Sequence, residues 1–255
     1  MRRREVIAAT LVAGWSGARA QQPSKLPRIG FLGAISASRY ARQVDALLAG
    51  LRDLGYVDGK NTVIEFRWAE GDYDRLPELA AEFDRLKVDV LVTHGTPATL
   101  AAKAAMKTIP IVAASIGDPV ATGVVTSLAK PGGNITGVAT FSTELAVKRL
   151  EILTQALPHV RRIAILLNPE NTLNAAILQA VEVAATSLAL EVQQVPVRAP
   201  NEVENVFSSS VAGNTEGVVL VDDGMLIANA GVLGPIITKL RLPSIGFTEF
   251  AQGGG

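Results

Sequence analysis

Three observations predict an α/β protein built as two lobes, each on a parallel sheet. Short apolar runs alternate with segments of helical period along the chain. That alternation starts over near residue 161. Three segments of the first half are also echoed, in the same order, in the second. "PRIGFLG" (27–33) parallels "RRIAILL" (161–167), "VDVLVTHGTPATLAAKA" (88–104) parallels "EGVVLVDDGMLIANAGV" (216–232), and "KTIPIVAA" (107–114) parallels "LRLPSIGF" (240–247). Alternating βα units imply parallel strands joined by right-handed crossovers.

The first twenty residues stand apart from that pattern. "MRRRE" is a basic start, "VIAATLVAGW" a short apolar stretch, and Ala18-Arg19-Ala20 a small-residue cleavage signal before Gln21. The apolar stretch is about half the ~20 residues a membrane-spanning helix needs. Residues 1–20 therefore read as a cleaved signal peptide, and the Arg3-Arg4 pair fits either general or twin-arginine export. The chain contains no cysteine, hence no disulfide and no lipid-anchoring thiol. The expected product is a periplasmic protein with no membrane insertion after cleavage.

In the first half, strands are expected at Arg28–Leu32, Thr62–Trp68, Val88–Thr93, Ile109–Ala114 and Asn134–Thr140. The clearest helix is Arg39–Gly55, where Val44, Leu47, Leu48, Leu51 and Leu54 share a face and Gly55 supplies a left-handed stop. Leu76–Leu86, Ala98–Met106 and Val120–Leu128 are the other expected helices, and Lys130–Asn134 is a turn cluster. The second half gives strands at Arg161–Leu167, Glu191–Val197, Gly217–Val221 and Pro243–Phe247, with helices at Asn174–Leu188 and Met225–Leu240. The lobes are placed at 21–140 and 141–255. The chain reaches Gly253-Gly254-Gly255 directly after an expected strand, which leaves the second lobe one covering helix short; an incomplete second lobe is the expectation.

Charge excludes one class of partner. The whole chain carries 24 basic and 24 acidic residues; the leader removes four arginines and one glutamate, leaving 20 and 23, a net charge of −3. No basic stripe remains to bind nucleic acid. Catalytic constellations are equally thin. No G-x-S-x-G elbow, G-x-G-x-x-G turn or phosphate-binding G-x-x-x-x-G-K-[ST] loop occurs, and His94 and His159 are the only histidines. Asp222-Asp223 has no histidine or glutamate at helical spacing to complete a metal set, so neither metal nor cofactor is expected.

Polar residues instead gather where strands end, which is where α/β sheets bind ligands. In the first half these are Ala34–Ser38, His94–Pro97 and Ser115–Asp118; in the second, Asn168–Thr172, Asp222–Gly224 and Phe247–Glu249. Two such sheets face to face would bring six loops to one cleft. Helix starts there favour an anion. Ser36, Ser38, Thr96 and Asn168 add neutral donors, while Asp118, Asp222 and Glu249 add acceptors for an ammonium group. The combination suits a zwitterion, with Pro97 and Phe247 completing the expected lining. A purely mechanical reading competes at most of these positions. Ser38, Thr96, Asp118 and Thr172 are good helix caps, a role worth ~1 kcal/mol each without any ligand. Asp223-Gly224 is a turn signal, Phe247 suits a core, and Trp68 and Glu70 suit a sheet edge. Asp118 is expected to serve both roles, capping a helix and facing the cleft.

Three blocks of the sequence resemble those of the tryptophan/tyrosine-type ABC-transporter substrate-binding proteins: "EFRWAEGDYDRLPELAAEF" (65–83), "THGTPATLAAKAAMKTIPIV" (93–112) and "GDPVATGVVTSLAKPGGNITGV" (117–138). "LNPEN" (167–171) is similar to the opening of that family's second lobe. The resemblance implies a type I periplasmic-binding-protein fold, with two Rossmann-like lobes closing on a small solute, and delivery to an ABC permease driven by a separate ATPase. Through its "TPA", "DPV" and "NP" turns it also implies that Thr96, Pro97, Asp118 and Asn168 face the cleft. The family continues past the terminal glycines with material returning to the first lobe. The leading expectation is thus a monomeric solute receptor for an amino acid or related zwitterion. The alternatives are a ligand-sensing regulatory domain of the same fold, against which the export signal argues, and an enzyme using Asp118 or Asp222 as a base.

Overall fold

The structure, a computed structural model, describes residues 25–207 and 214–255; the expected signal peptide lies outside them. The first sheet contains β1 (Arg28–Gly33), β2 (Val63–Trp68), β3 (Val90–His94), β4 (Ile111–Gly117) and β5 (Ile135–Thr140), in the order β2-β1-β3-β4-β5. The second contains β6 (Arg162–Leu167), β7 (Glu191–Pro196), β8 (Gly217–Leu220) and β9 (Ser244–Ile245), in the order β7-β6-β8-β9. Every pairing is parallel. β1 and β6 occupy equivalent places, and both are buried on both faces after their first residue. Such strands read as unbroken apolar runs because helices cover both sides.

The coverage follows the alternation of side chains. Ile29 and Phe31 of β1 point to one face, where Val44, Leu47, Leu48 and Leu51 of α1 (Ala41–Asp53) pack on them. Leu32 points to the other face and joins Leu79, Ala80 and Phe83 of α2 (Leu76–Leu86) and Ala98 and Ala102 of α3 (Thr96–Ala105). α1 ends as expected, with Gly55 at φ +85°. In the second lobe α4 (Ser142–Ala156), α5 (Asn174–Ser187), α6 (Pro200–Val206), α7 (Gly224–Ala228), α8 (Ala230–Lys239) and α9 (Thr248–Gln252) surround the sheet. Their largest buried contributions are Leu150, Ile177, Val181, Leu226, Leu233, Ile237 and Phe250.

Four expectations are corrected. Val120–Leu128 forms no helix: a single turn spans Asp118–Gly123, and the chain is irregular from there to β5. Val120, Thr122, Val124, Val125 and Thr126 are β-branched, and Gly123 adopts φ +69°, both unfavourable to helix. Met225–Leu240 divides at Asn229 into α7 and α8, in a segment that also holds Gly231, Gly234 and Pro235. The expected strand Pro243–Phe247 keeps only Ser244–Ile245, and Thr248–Gln252, which opens in the expected loop, is a short helix between that strand and the terminal glycines. α4 and α6 are absent from the expected helices; α4 follows β5 directly and packs on the second sheet.

In both sheets the strand order reverses beside the first strand, between β1 and β3 and between β6 and β8. Crossovers leave in opposite directions there, opening a crevice at the strands' carboxyl ends. The two crevices face each other.

Candidate functional site

A cavity of about 300 Å³ lies between the sheets, lined by loops from both. The loop after β1 gives Tyr40, that after β3 gives His94 to Pro97, and β4 gives Ser115 and Gly117. From the second lobe come Arg149 of α4, Asn171 and Leu173 after β6, Asp222 to Gly224 after β8, and Phe247 to Glu249 after β9. This volume falls at the lower end of small-molecule sites.

Of the expected residues, Thr96, Pro97, Asp222 and Phe247 line the cavity, as do His94, Asp223 and Glu249. Thr96 does not cap α3; its Oγ1 accepts from Gly117 N at 3.2 Å and ties the end of β3 to the end of β4. Ser36 and Ser38 line two other clefts, Ser36 with Arg39 and Arg198, Ser38 with Arg42 and Gln43. The Ser36 and Ser38 hydroxyls bond each other at 3.1 Å, and Ser38 caps nothing. Asn168 is not in the lining. It is buried behind it, where its Oδ1 accepts from Glu170 N at 3.1 Å and its backbone carbonyl accepts from the Asn174 side chain. Asp118 is outside the lining too. Its Oδ1 accepts from Ala121 N at 3.1 Å, capping the single turn that replaces the expected helix, and its Oδ2 accepts from Thr143 at 3.4 Å. A φ of +36° at Asp118 turns the chain away from the cavity directly after β4.

The lining residues that the sequence reading did not single out include Tyr40, Tyr73 and Arg149, whereas Asn171 lies within the strand-end loop Asn168–Thr172 that it named. Arg149 had a signal. It sits with Ala146, Leu150 and Leu153 on the buried stripe of α4, a place an unpaired arginine does not occupy. Its Nη2 donates to Asp222 at 2.8 Å and its Nη1 to the Leu220 carbonyl at 3.2 Å. Asp223, read as a turn residue, is the cap of α7: Oδ1 accepts from Met225 N at 2.8 Å and Leu226 N at 3.2 Å, and Oδ2 from Asn171 Nδ2 at 2.9 Å. Burial pushes its carboxyl above the usual range, and those donors pull the other way.

An aromatic floor supports the first-lobe side. Tyr40 stacks on Trp68 at 5.7 Å and meets the His94 ring at 4.5 Å. Burial lowers His94 to about 4, and its Nδ1 has no hydrogen-bond partner among the described residues. Burial likewise raises Tyr40, followed in effect by the Asp223 charge. The lobes also touch through carbon: a side chain added at Gly117 would place its first carbon 2.2 Å from Leu173 Cδ2, so the glycine permits the approach. Chemically, the cavity offers two helix starts at Thr96 and Ser142, an arginine, and three carboxylates. Among the described residues no cluster of histidine, aspartate and glutamate fit to hold a metal occurs, and no helix is long and apolar enough to cross a membrane.

Paired parallel sheets whose switch points enclose one cavity define a bilobed ligand-binding protein of the type I periplasmic-binding-protein fold. Residues 28–254 match the model of the family described as ABC transporter substrate binding protein, and the chain belongs to that family. It is 28% identical over 209 residues to a tyrosine-binding protein of Clostridioides difficile (strain R20291), an overlap of 82% of this chain and 59% of the relative. The chain thus spans about three fifths of the curated relative it matches. Two crystal structures share its fold. One is an ABC domain from Streptococcus pneumoniae in complex with L-Trp, with a TM-score of 0.80 and 23% identity over 91% of this chain and 77% of that one. The other is a conserved domain protein from Vibrio cholerae o1 biovar eltor, with a TM-score of 0.81 and 23% identity over the same shares.

Proposed function

We propose that this substrate-binding protein takes an amino acid, or a closely related zwitterion, between lobes 21–140 and 141–255 and presents it outside the cytoplasm to an ABC permease driven by a separate ATPase. The cavity lined from both lobes carries this reading. Its helix starts at Thr96 and Ser142 suit a carboxylate, since exposed N–H groups and the helix dipole favour negative charge. Asp222 and Glu249 suit an ammonium group, and Phe247 and Tyr40 suit an apolar or aromatic side chain between them. The ligands named for the relatives, tyrosine and L-Trp, agree with this chemistry. Ligand contacts on both lobes favour the closed arrangement, and closure is the signal a permease reads. The protein acts as a monomer without a cofactor, exported by residues 1–20.

The test is thermal melting of residues 21–255 against a panel of amino acids and small carboxylates. A ligand at 100 times its dissociation constant stabilises by ~2.7 kcal/mol, a rise of roughly 5–10 °C for a chain of this size. A rise confined to amino acids, with the ligand recovered unaltered, supports a receptor. Melts moved by none of them refute the amino-acid reading, and chemical conversion of the ligand refutes the receptor reading.

A further inference from the structure

Two tyrosines of the first lobe converge on one point of the second. The Tyr73 hydroxyl donates to Oδ2 of Asp223, a second-lobe residue, at 3.4 Å. The Tyr40 hydroxyl reaches the same spot. A carbon built on Gly224 would stand 3.6 Å from the Tyr73 hydroxyl and 3.7 Å from the Tyr40 hydroxyl. The two phenols differ in one respect. Tyr73 bonds Asp223, whereas the hydroxyl of Tyr40, only 2% exposed, has no hydrogen-bond partner among the described residues.

We propose that Tyr73 and Tyr40 are opposed positioning residues that set how readily the lobes close: Tyr73 favours closure by bonding Asp223, and Tyr40 resists it by burying an unpaired hydroxyl. Separating the lobes would return both hydroxyls to water. Closure exchanges water for the Asp223 carboxylate at Tyr73, a bond that favours the closed state. At Tyr40 it removes water and supplies nothing, and an unsatisfied buried hydroxyl disfavours the state that contains it. The ligand-free protein is thereby held open, and its apparent affinity falls in proportion to the fraction that closes. This inference rests on the receptor reading above but names neither the ligand nor its contacts.

The test uses the full chain with labels placed by substitution. Because the protein has no cysteine, Asp45→Cys and Val232→Cys, both at exposed positions on opposite lobes, give a single spin-label pair for pulsed distance measurement. Without ligand, Tyr40→Phe shifts the distance distribution towards the closed separation, and Tyr73→Phe shifts it towards the open one. With L-tyrosine as the calorimetric probe, Tyr40→Phe binds about fivefold to tenfold tighter and Tyr73→Phe weaker by a similar factor. An unchanged ligand-free distribution in Tyr40→Phe overturns the proposal. So does weaker binding in that variant, which would put its hydroxyl on the ligand. A protein that binds no L-tyrosine is still decided by the ligand-free distributions, whereas the amino-acid reading is decided by the melting panel. A purely structural role for Tyr40 would move the melting point and leave the distances alone, and that result also overturns the proposal.

Discussion

Replacing Arg149 by methionine isolates the charge arrangement of the cavity. The methionine keeps much of the length of the buried stem on α4 and removes the guanidinium. Two bonds go with it, 2.8 Å to Asp222 and 3.2 Å to the Leu220 carbonyl. The side chains of the pair are 10% and 18% exposed, so the aspartate left behind is mostly desolvated and has lost its counter-ion. Breaking a buried pair from one side costs about 3–5 kcal/mol, and the residual exposure of Asp222 places this case near the low end, at about 3 kcal/mol. For a protein of this size that lowers the melting point by roughly 6–12 °C. Adding Asp222→Leu removes the stranded charge, so the double variant returns to within about 1 kcal/mol of the parent, because replacing both partners by apolar groups is often neutral. Urea unfolding followed by circular dichroism, with the four proteins of the cycle, measures both figures. A loss below about 1 kcal/mol in Arg149→Met, or a double variant that simply adds the two single losses, refutes the reasoning. If Asp222 holds the ligand's ammonium group, the double variant also loses the ligand-induced rise in melting point while remaining folded.

Two further outcomes are expected. His94, lowered from 6.5 to about 4 by burial, keeps its full contribution above pH 6.5 and loses it as pH falls towards 4, because the unfolded chain takes up the proton first. That is about 3 kcal/mol across the window; urea unfolding at several pH values should show the fall flattened in His94→Phe, and identical slopes in the two proteins would refute it. The raised Asp223 acts in the opposite direction, and both it and the lowered Glu216 are common to the two proteins, so the difference between slopes reports His94. Asp118→Ala costs about 1 kcal/mol through the lost cap on Ala121 but leaves ligand affinity within about twofold, since the side chain is outside the cavity lining; a loss of about tenfold or more in calorimetry would return Asp118 to the site.

The contrast between Asp118 and Asp223 explains what was legible in the sequence and what was not. Both follow a strand, both precede a short apolar stretch, and each caps the turn that follows through one carboxylate oxygen. Periodicity and the three echoed segments place them correctly at strand ends, which is why the parallel sheets and most helices could be read in advance. What separates the two residues is where the second oxygen points. At Asp223 it meets Asn171 and Tyr73, groups 52 and 150 positions away in the chain. At Asp118, a left-handed backbone turns the carboxylate onto Thr143 instead. Local pattern predicts a cap; only contacts distant in sequence determine whether the cap also borders the cavity. Arg149 makes the same point from a helix. Its register on the stripe of Ala146, Leu150 and Leu153 required a buried partner, but the partner, Asp222, lies 73 positions on. The residues most readily missed in such a protein are therefore those whose role is set by a partner far along the chain, within one lobe for Arg149 and across the cleft for the two tyrosines. Tyr40 and Tyr73 stand at the start of local structure in one lobe and acquire a function only when Asp223 of the other comes to meet them.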